Sequence, residues 1–70
     1  MSQEDRVLNA LIAATKAELQ AATLGFEGCV ALGDKGRDDL VAATAVGLRT
    51  QMLMLSARLE ALQAAVASTD

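Results

Sequence analysis

Residues 40–67 read LVAATAVGLRTQMLMLSARLEALQAAVA, and their apolar side chains recur with a seven-residue period. One series of the repeat is Val41, Leu48, Leu55 and Leu62, and the other is Ala45, Met52, Leu59 and Val66. Apolar residues at alternating intervals of four and three form one continuous stripe along a helix, which is typical of coiled-coil packing. No polar residue interrupts this stripe. The pattern therefore predicts a long helix from Asp39 to Ala67 that packs along another helix.

The first half of the chain carries a looser form of the same repeat. Its two series are Leu8, Thr15, Ala22 and Cys29, and Ile12, Leu19, Phe26 and Gly33. Because several of these residues are small, the stripe favours a close approach of a partner backbone. We place this helix from Glu4 to Leu32, with Ser2 as its N-cap. Gly25 and Gly28 each weaken it by ~1 kcal/mol relative to alanine, which fits either tight packing there or a fraying helix end.

A short charged turn joins the two helices, and residues 33–38 read GDKGRD. We expect Gly33 to end the first helix as a left-handed residue and Gly36 to supply a second flexible position. Asp38 or Asp39 is expected to cap the second helix. A connection this short makes the two helices antiparallel. The sequence therefore predicts an all-α fold in which residues 1–70 form a single helical hairpin.

The composition indicates how such a small fold is stabilised. Chains of 70 residues bury little surface and usually need disulfides, a metal or oligomerisation. Cys29 is the only cysteine and histidine is absent, so an internal disulfide is excluded and a zinc cage is disfavoured. We expect no cofactor and no enzymatic activity, since the sequence offers no evident set of catalytic groups. Oligomerisation remains as the stabilising device.

The apolar stripes are expected to pair two hairpins into a dimeric four-helix bundle. The residues predicted to form this oligomer interface are Leu8, Ile12, Leu19, Phe26, Val41, Leu48, Met52, Leu55, Leu59, Leu62 and Val66. The second helix also carries apolar residues outside its stripe, and a helix with so few charges is usually buried on more than one side. Leu53 and Met54 are the residues that we predict to form a partner surface.

Charge and hydropathy argue against two other classes of protein. The net charge is −3 and hydrophobic residues make up 53% of the chain, with Phe26 as the only aromatic residue. An acidic chain without stacking side chains lacks what nucleic-acid binding requires. A membrane span is not expected, because Arg49 interrupts the most apolar stretch, residues 40–57. The polar and acidic residues 2–5 do not resemble a signal peptide, and the single cysteine suits the cytoplasm.

Three side chains are the candidates for chemistry. Glu18 and Glu60 are acidic residues well inside the helices, and we interpret them mainly as solvated or ion-paired. In a dimer Glu18 is present twice, which leaves paired carboxylates around a metal as the alternative. Cys29 lies on the apolar stripe, where a buried cysteine behaves as a small hydrophobic residue. Its alternative role is in redox chemistry or in a disulfide between chains.

Several short segments carry a family resemblance. They are Leu8-Asn9-Ala10-Leu11-Ile12, Lys16, Gly25-Phe26, Arg49 and Leu59-Glu60-Ala61-Leu62. Between Arg6 and Leu62 this pattern resembles the first hairpin of ferritin-like four-helix proteins, within an uncharacterised, stress-associated branch. The resemblance implies a helical bundle, although the chain has two helices and no histidine. In size and hairpin form the chain is also similar to the small co-chaperones of bacterial type III secretion needles.

Taken together, these patterns favour a non-enzymatic hairpin that associates with itself and acts as an interaction or adaptor module. Two alternatives stay open. The first is a vestigial ferritin-like metal or redox protein built on Glu18 and Glu60. The second is a secretion-type co-chaperone whose second helix covers an apolar helix of a partner protein.

Overall fold

Two long helices make up the described part of the chain. A computed structural model of the protein describes residues 2–33 and 38–68. Helix α1 is Gln3–Gly33 and helix α2 is Asp38–Ala67. They pack side by side as a hairpin, with overall dimensions of 52 × 14 × 12 Å. The all-α hairpin predicted from the sequence is confirmed, and both helices begin one residue before their predicted starts.

The start of α1 is capped by a side chain. The backbone N–H of Asp5 donates a hydrogen bond to Oγ of Ser2, at 3.1 Å. The backbone N–H of Arg6 donates to the carbonyl oxygen of Ser2, also at 3.1 Å. A serine in this position satisfies backbone donors that have no partner within the helix. The predicted N-cap is therefore confirmed.

The end of α1 differs from the expectation. Gly33 is the last residue of the helix, and its backbone does not adopt the left-handed conformation. The prediction of a left-handed Gly33 was wrong, because glycine adopts right-handed helical angles as well as left-handed ones. Gly36 lies outside the described residues. Helix α2 already includes Asp38, so Asp39 belongs to its first turn and is not its N-cap.

The core of the hairpin is small and consists mostly of small residues. Buried side chains on α1 are Thr15, Ala22 and Cys29, and Leu55 is buried on α2. The hydroxyl of Thr15 donates a hydrogen bond of 2.7 Å to the carbonyl oxygen of Leu11. This bond to the preceding turn satisfies the hydroxyl without any partner on α2. A polar residue is thus accommodated in the apolar contact.

Gly25 and Leu48 bring the helices into close contact. A Cβ added at Gly25 would lie 3.2 Å from Cδ1 of Leu48. Such a separation is below ordinary van der Waals contact, so the glycine leaves room for the leucine. A Cβ added at Gly28, Gly33 or Gly47 would meet no obstructing heavy atom within 4 Å. Tight packing therefore explains Gly25, whereas Gly28 makes no such contact in the hairpin.

Helix α2 is unusually apolar for a helix with so much exposed surface. By length and composition alone, Asp39–Ala67 is sufficient to cross a membrane. Only 11% of its most apolar window is buried. The core helix of a soluble protein is often equally long and apolar, but most of its surface is buried. The hairpin thus leaves most of the apolar surface of α2 without a partner.

Candidate functional site

The two series of α1 are buried to different extents, whereas on α2 Leu55 is the one buried member of either series within the described residues. On α1 the buried residues Thr15, Ala22 and Cys29 all belong to one series, and Leu55 belongs to the corresponding series of α2. The other two series are half-buried throughout. Their members on the described helices are Ile12, Leu19, Phe26, Gly33, Ala45, Met52, Leu59 and Val66. We refer to these half-buried residues, except Gly33, as the open face.

A shallow groove shows that both helices contribute to the same open face. Phe26 on α1 and Met52 on α2 line it, together with three neighbours on α2. Those neighbours are Arg49, Leu53 and Ser56. The groove has a volume of about 350 Å³ and is open to solvent. Phe26 is the only aromatic residue in the chain, so its ring is the largest rigid apolar surface on this face.

Side-chain size explains why one side of the contact closes and the other stays open. Threonine, alanine and cysteine let α1 approach α2 closely, as the contact between Gly25 and Leu48 shows. The larger side chains of Ile12, Leu19 and Phe26 are displaced around α1 from the buried series and extend past the contact. They keep part of their apolar surface in water. A second helical layer placed over the open face would cover that surface.

The eleven residues predicted for the oligomer interface all lie at or beside the contact between α1 and α2. Leu55 is buried, with 3% of its surface exposed, and the other ten are half-buried. Six of them belong to the open face, and a second copy is able to reach those without separating the helices. These six are Ile12, Leu19, Phe26, Met52, Leu59 and Val66. Their contact with a second copy stays a prediction.

The predicted partner surface lies elsewhere, on the outer side of α2. Leu53 is 66% exposed and Met54 is 61% exposed. Leu40 and Val46 are exposed to a similar degree, at 79% and 67%. Apolar side chains of this size are rarely grouped on the surface of a protein that functions alone. This outer side is therefore a second candidate surface, and it adjoins the open face at Leu53, which also lines the groove.

The total accessible surface gives the same indication. The chain exposes 5068 Å², whereas a compact monomer of its 7.2 kDa mass is expected to expose about 4,100 Å². The excess of roughly 900 Å² is close to the ~800 Å² that each partner contributes to a standard interface. The radius of gyration of 15.8 Å likewise exceeds the ~11 Å expected for a compact chain of this length. The hairpin is therefore more extended, and exposes more surface, than a compact monomer of its size.

The candidates for chemistry are not grouped together. Glu18 and Glu60 are both exposed, and Cys29 is a free thiol in the buried series. Among residues 2–33 and 38–68, no group of three or more His, Cys, Asp or Glu side chains is placed to hold a metal ion. In this structure the clearest geometric features are therefore apolar surfaces.

The difference between the two series was not foreseen from the sequence, although a signal was present. The buried series of α1 holds small residues after Leu8, whereas the open series begins with isoleucine, leucine and phenylalanine. Size alternation of this kind indicates which side of a helical contact closes.

Comparison with known proteins adds no further constraint, since no family model, curated protein or solved structure matches the chain.

Proposed function

We propose that the chain is a non-enzymatic interaction module whose hairpins pair through their open faces into a dimeric four-helix bundle. The observation that supports this proposal is the half-buried row of large side chains that begins at Ile12 and includes the groove beside Phe26. Covering that row with a second copy buries apolar surface that the hairpin alone leaves in water. The excess surface of the chain matches what one such interface requires.

A symmetric dimer is the simplest arrangement, because an open face that packs on its own copy forms a closed interface. Each helix then has two helical neighbours, as in other four-helix bundles. Small or uncharged residues such as Thr23 and Ser56 flank the row, and both are half-buried already. They allow a second layer to approach without desolvating a charge. Lys16 and Arg49 flank the row at the same helical positions one heptad earlier, and Arg49 also lines the groove. Their long flexible stems let the charged ends reach water at the rim of the interface.

A matched pair of substitutions tests this arrangement. Met52 lies on the open face and Met54 lies on the outer side of α2, and glutamine has nearly the size of methionine. We expect Met52→Gln to weaken the dimer by about tenfold or more, because it places an amide in an apolar interface. Met54→Gln should leave the dimer intact. The measurement is light scattering on a sizing column over a range of protein concentrations, with circular dichroism as the control for helicity.

The outcome for the unmodified chain separates the bundle from the co-chaperone alternative. A stable dimer or a multiple of it agrees with the bundle. A chain that stays a helical monomer at every concentration would contradict it and would favour a partner protein whose apolar helix covers the open face. Equal effects of Met52→Gln and Met54→Gln on the dimer would also contradict the proposed interface.

The metal-binding alternative has a separate test. It requires Glu18 and Glu60, and we propose that both carboxylates remain in solvent in the dimer. Protein purified without chelator should then contain less than one metal ion per dimer by elemental analysis. A stoichiometric metal that is lost in Glu18→Gln would contradict the non-enzymatic assignment. We further propose a cytoplasmic location and no nucleic-acid partner, as the acidic charge and single free cysteine suggest.

A further inference from the structure

Six charged residues lie between Val7 and Ala67, if the turn and the first residues of α2 are left out. Their sequence positions form pairs of opposite charge. On α1 the charged residues are Lys16, Glu18 and Glu27, and on α2 they are Arg49, Arg58 and Glu60. When two helices pack antiparallel, the residue numbers of two residues at the same height along the helix axis add up to a constant. Lys16 with Glu60, Glu18 with Arg58, and Glu27 with Arg49 all share the sum of 76. One antiparallel register therefore gives three pairs of opposite charge.

A parallel register is less complementary. It pairs Glu18 with Arg49 and Glu27 with Arg58, but it leaves Lys16 and Glu60 without opposite charges. All six side chains are exposed in the hairpin. Within the described residues, none of the six forms an ion pair with another. The hairpin's own register is three residues away, since Gly25 and Leu48 have the sum of 73, and it leaves these charge pairs unjoined.

The same charges frame two outer surfaces. Glu18 and Glu27 are nine residues apart, which is two and a half helical turns, so they project from opposite edges of the outer side of α1. Arg49 and Arg58 have the same spacing and frame the outer side of α2. The outer side of α1 carries the small residues Ala14, Ala17, Ala21 and Gly28 together with Leu24, which is 61% exposed. The outer side of α2 carries Val46, Gly47, Leu53 and Met54.

Two glycines fit the same register. Gly28 and Gly47 have a sum of 75, so they are nearly level when the charges pair. Neither has an obstructing heavy atom within 4 Å of an added Cβ in the hairpin. A glycine inside an exposed helix costs about 1 kcal/mol relative to alanine, and close approach of a second helix is a physical reason for keeping it. Ala21 likewise falls opposite Met54, so a small residue faces a large one.

We infer that the outer side of α2 binds the outer side of α1 of a second copy, antiparallel and in the register that joins Glu18 to Arg58 and Glu27 to Arg49. The two outer sides point in opposite directions from the hairpin. This contact is therefore head-to-tail, and its repetition builds a filament or a ring in place of a closed pair. Apolar contact provides most of the affinity, and the charge pairs select the register. The contact lies on a different side of α2 from the open face, meets it at Arg49 and Leu53, and extends the assembly beyond a dimer.

Two double variants with unchanged net charge test the register. E18R/R58E reverses one pair and keeps all pairs complementary in the antiparallel register. E27R/R58E has the same composition, but it sets like charges against each other at two pairs, and neither of its residues lines the groove. We expect the first to assemble like the unmodified chain and the second to lose about tenfold or more in association at low salt. Both retain the net charge of −3, because a glutamate and an arginine are exchanged in each.

The measurement is sedimentation velocity of the full chain at increasing concentration, with helicity checked by circular dichroism. The inference predicts species larger than a dimer that E27R/R58E reduces to the dimer. A dimer that never grows would overturn the inference and leave the open-face bundle standing. A reversed order of the two variants would overturn the antiparallel register. Head-to-tail chains that are built from single hairpins, with no dimer at low concentration, would instead overturn the open-face bundle.

A steric variant and a lipid control complete the test. G47L meets no obstruction in the hairpin, so helicity should be kept while growth beyond the dimer falls about tenfold or more. Growth that is unaffected by G47L would overturn the close contact. Neutral phosphatidylcholine vesicles should not bind the chain. Binding to them with loss of the larger species would overturn the inference, because lipid would then occupy the outer side of α2.

Discussion

Gly25 on α1 lies directly against Leu48 on α2, with 3.2 Å between the position of an added Cβ and Cδ1 of the leucine. This pair lies on the closed side of the helix contact, where the buried residues Thr15, Ala22 and Cys29 let the helices approach each other. It also explains why a residue that disfavours helices is retained within α1. Gly28 is three residues away on the same helix and has no such neighbour. The two glycines therefore separate the effect of packing from the effect of helix propensity.

Replacing these glycines by alanine should give unequal results. Within the hairpin Gly28→Ala gains helix propensity without a steric cost, so at concentrations too low for the head-to-tail contact we expect the free energy of unfolding to rise by up to ~1 kcal/mol. Gly25→Ala gains the same propensity but must displace the end of Leu48 by a few tenths of an ångström, so its net effect should be close to zero. Urea denaturation followed by circular dichroism measures both. Equal gains would show that Leu48 moves at no cost.

Thr15 provides a second prediction about the closed side. Its hydroxyl bonds only to the carbonyl oxygen of Leu11, which also accepts the ordinary helical hydrogen bond from the backbone N–H of Thr15. Thr15→Val thus removes a buried hydroxyl without leaving a buried acceptor unpaired. We expect an unchanged free energy of unfolding or a gain of up to ~1 kcal/mol.

Thr15→Ser is the matched control, since it keeps the hydroxyl and removes the methyl group. It should lower the stability by about 1 kcal/mol through lost apolar burial. A loss on Thr15→Val that exceeds the loss on Thr15→Ser would show that the hydroxyl has a stabilising role that the hairpin does not reveal.

The sequence predicted the hairpin well because the repeat and the short connection each encode it locally. The seven-residue spacing that includes Leu48 and Leu55 identifies the packed side of α2 without any information about α1. The spacing does not encode how closely the helices approach, which depends on pairs such as Gly25 and Leu48 across the contact. For that reason the unequal burial of the two series was not predicted. The end of α1 at Gly33 was also mispredicted, since glycine permits either backbone hand.

The cap on α1 gives a local prediction. Ser2→Ala removes the oxygen that accepts the N–H of Asp5, and we expect a loss of about 1 kcal/mol in the stability of the first turn. Amide hydrogen exchange should become faster for residues in that turn and should stay unchanged near Leu55. Ser2→Asp should retain protection, because a carboxylate caps equally well and favours the positive end of the helix dipole. Uniform acceleration along the chain would contradict a local role.

Cys29 offers a probe of the closed side without any change to the sequence. Its thiol is free and only 9% exposed. We expect alkylation by iodoacetamide to be slow in buffer and to become at least tenfold faster in denaturing urea, because the reagent must wait for an opening of the hairpin. Equal rates in the two conditions would show that α1 separates from α2 readily. Non-reducing electrophoresis should find no disulfide-linked dimer, as a buried thiol cannot reach its copy.

Phe26 connects the stability of the hairpin with that of the dimer. The ring is half-buried in the hairpin and lines the groove on the open face. Phe26→Ala should therefore cost the hairpin only about 1–2 kcal/mol, less than the 3–5 kcal/mol typical of a fully buried phenylalanine. If a second copy covers the groove, the same change should also weaken dimerisation and make the denaturation midpoint less dependent on protein concentration. Phe26→Leu keeps most of the apolar surface and should be milder on both measures. A Phe26→Ala variant that dimerises normally would mean that the groove stays in solvent, and the interface would then have to lie away from the open face.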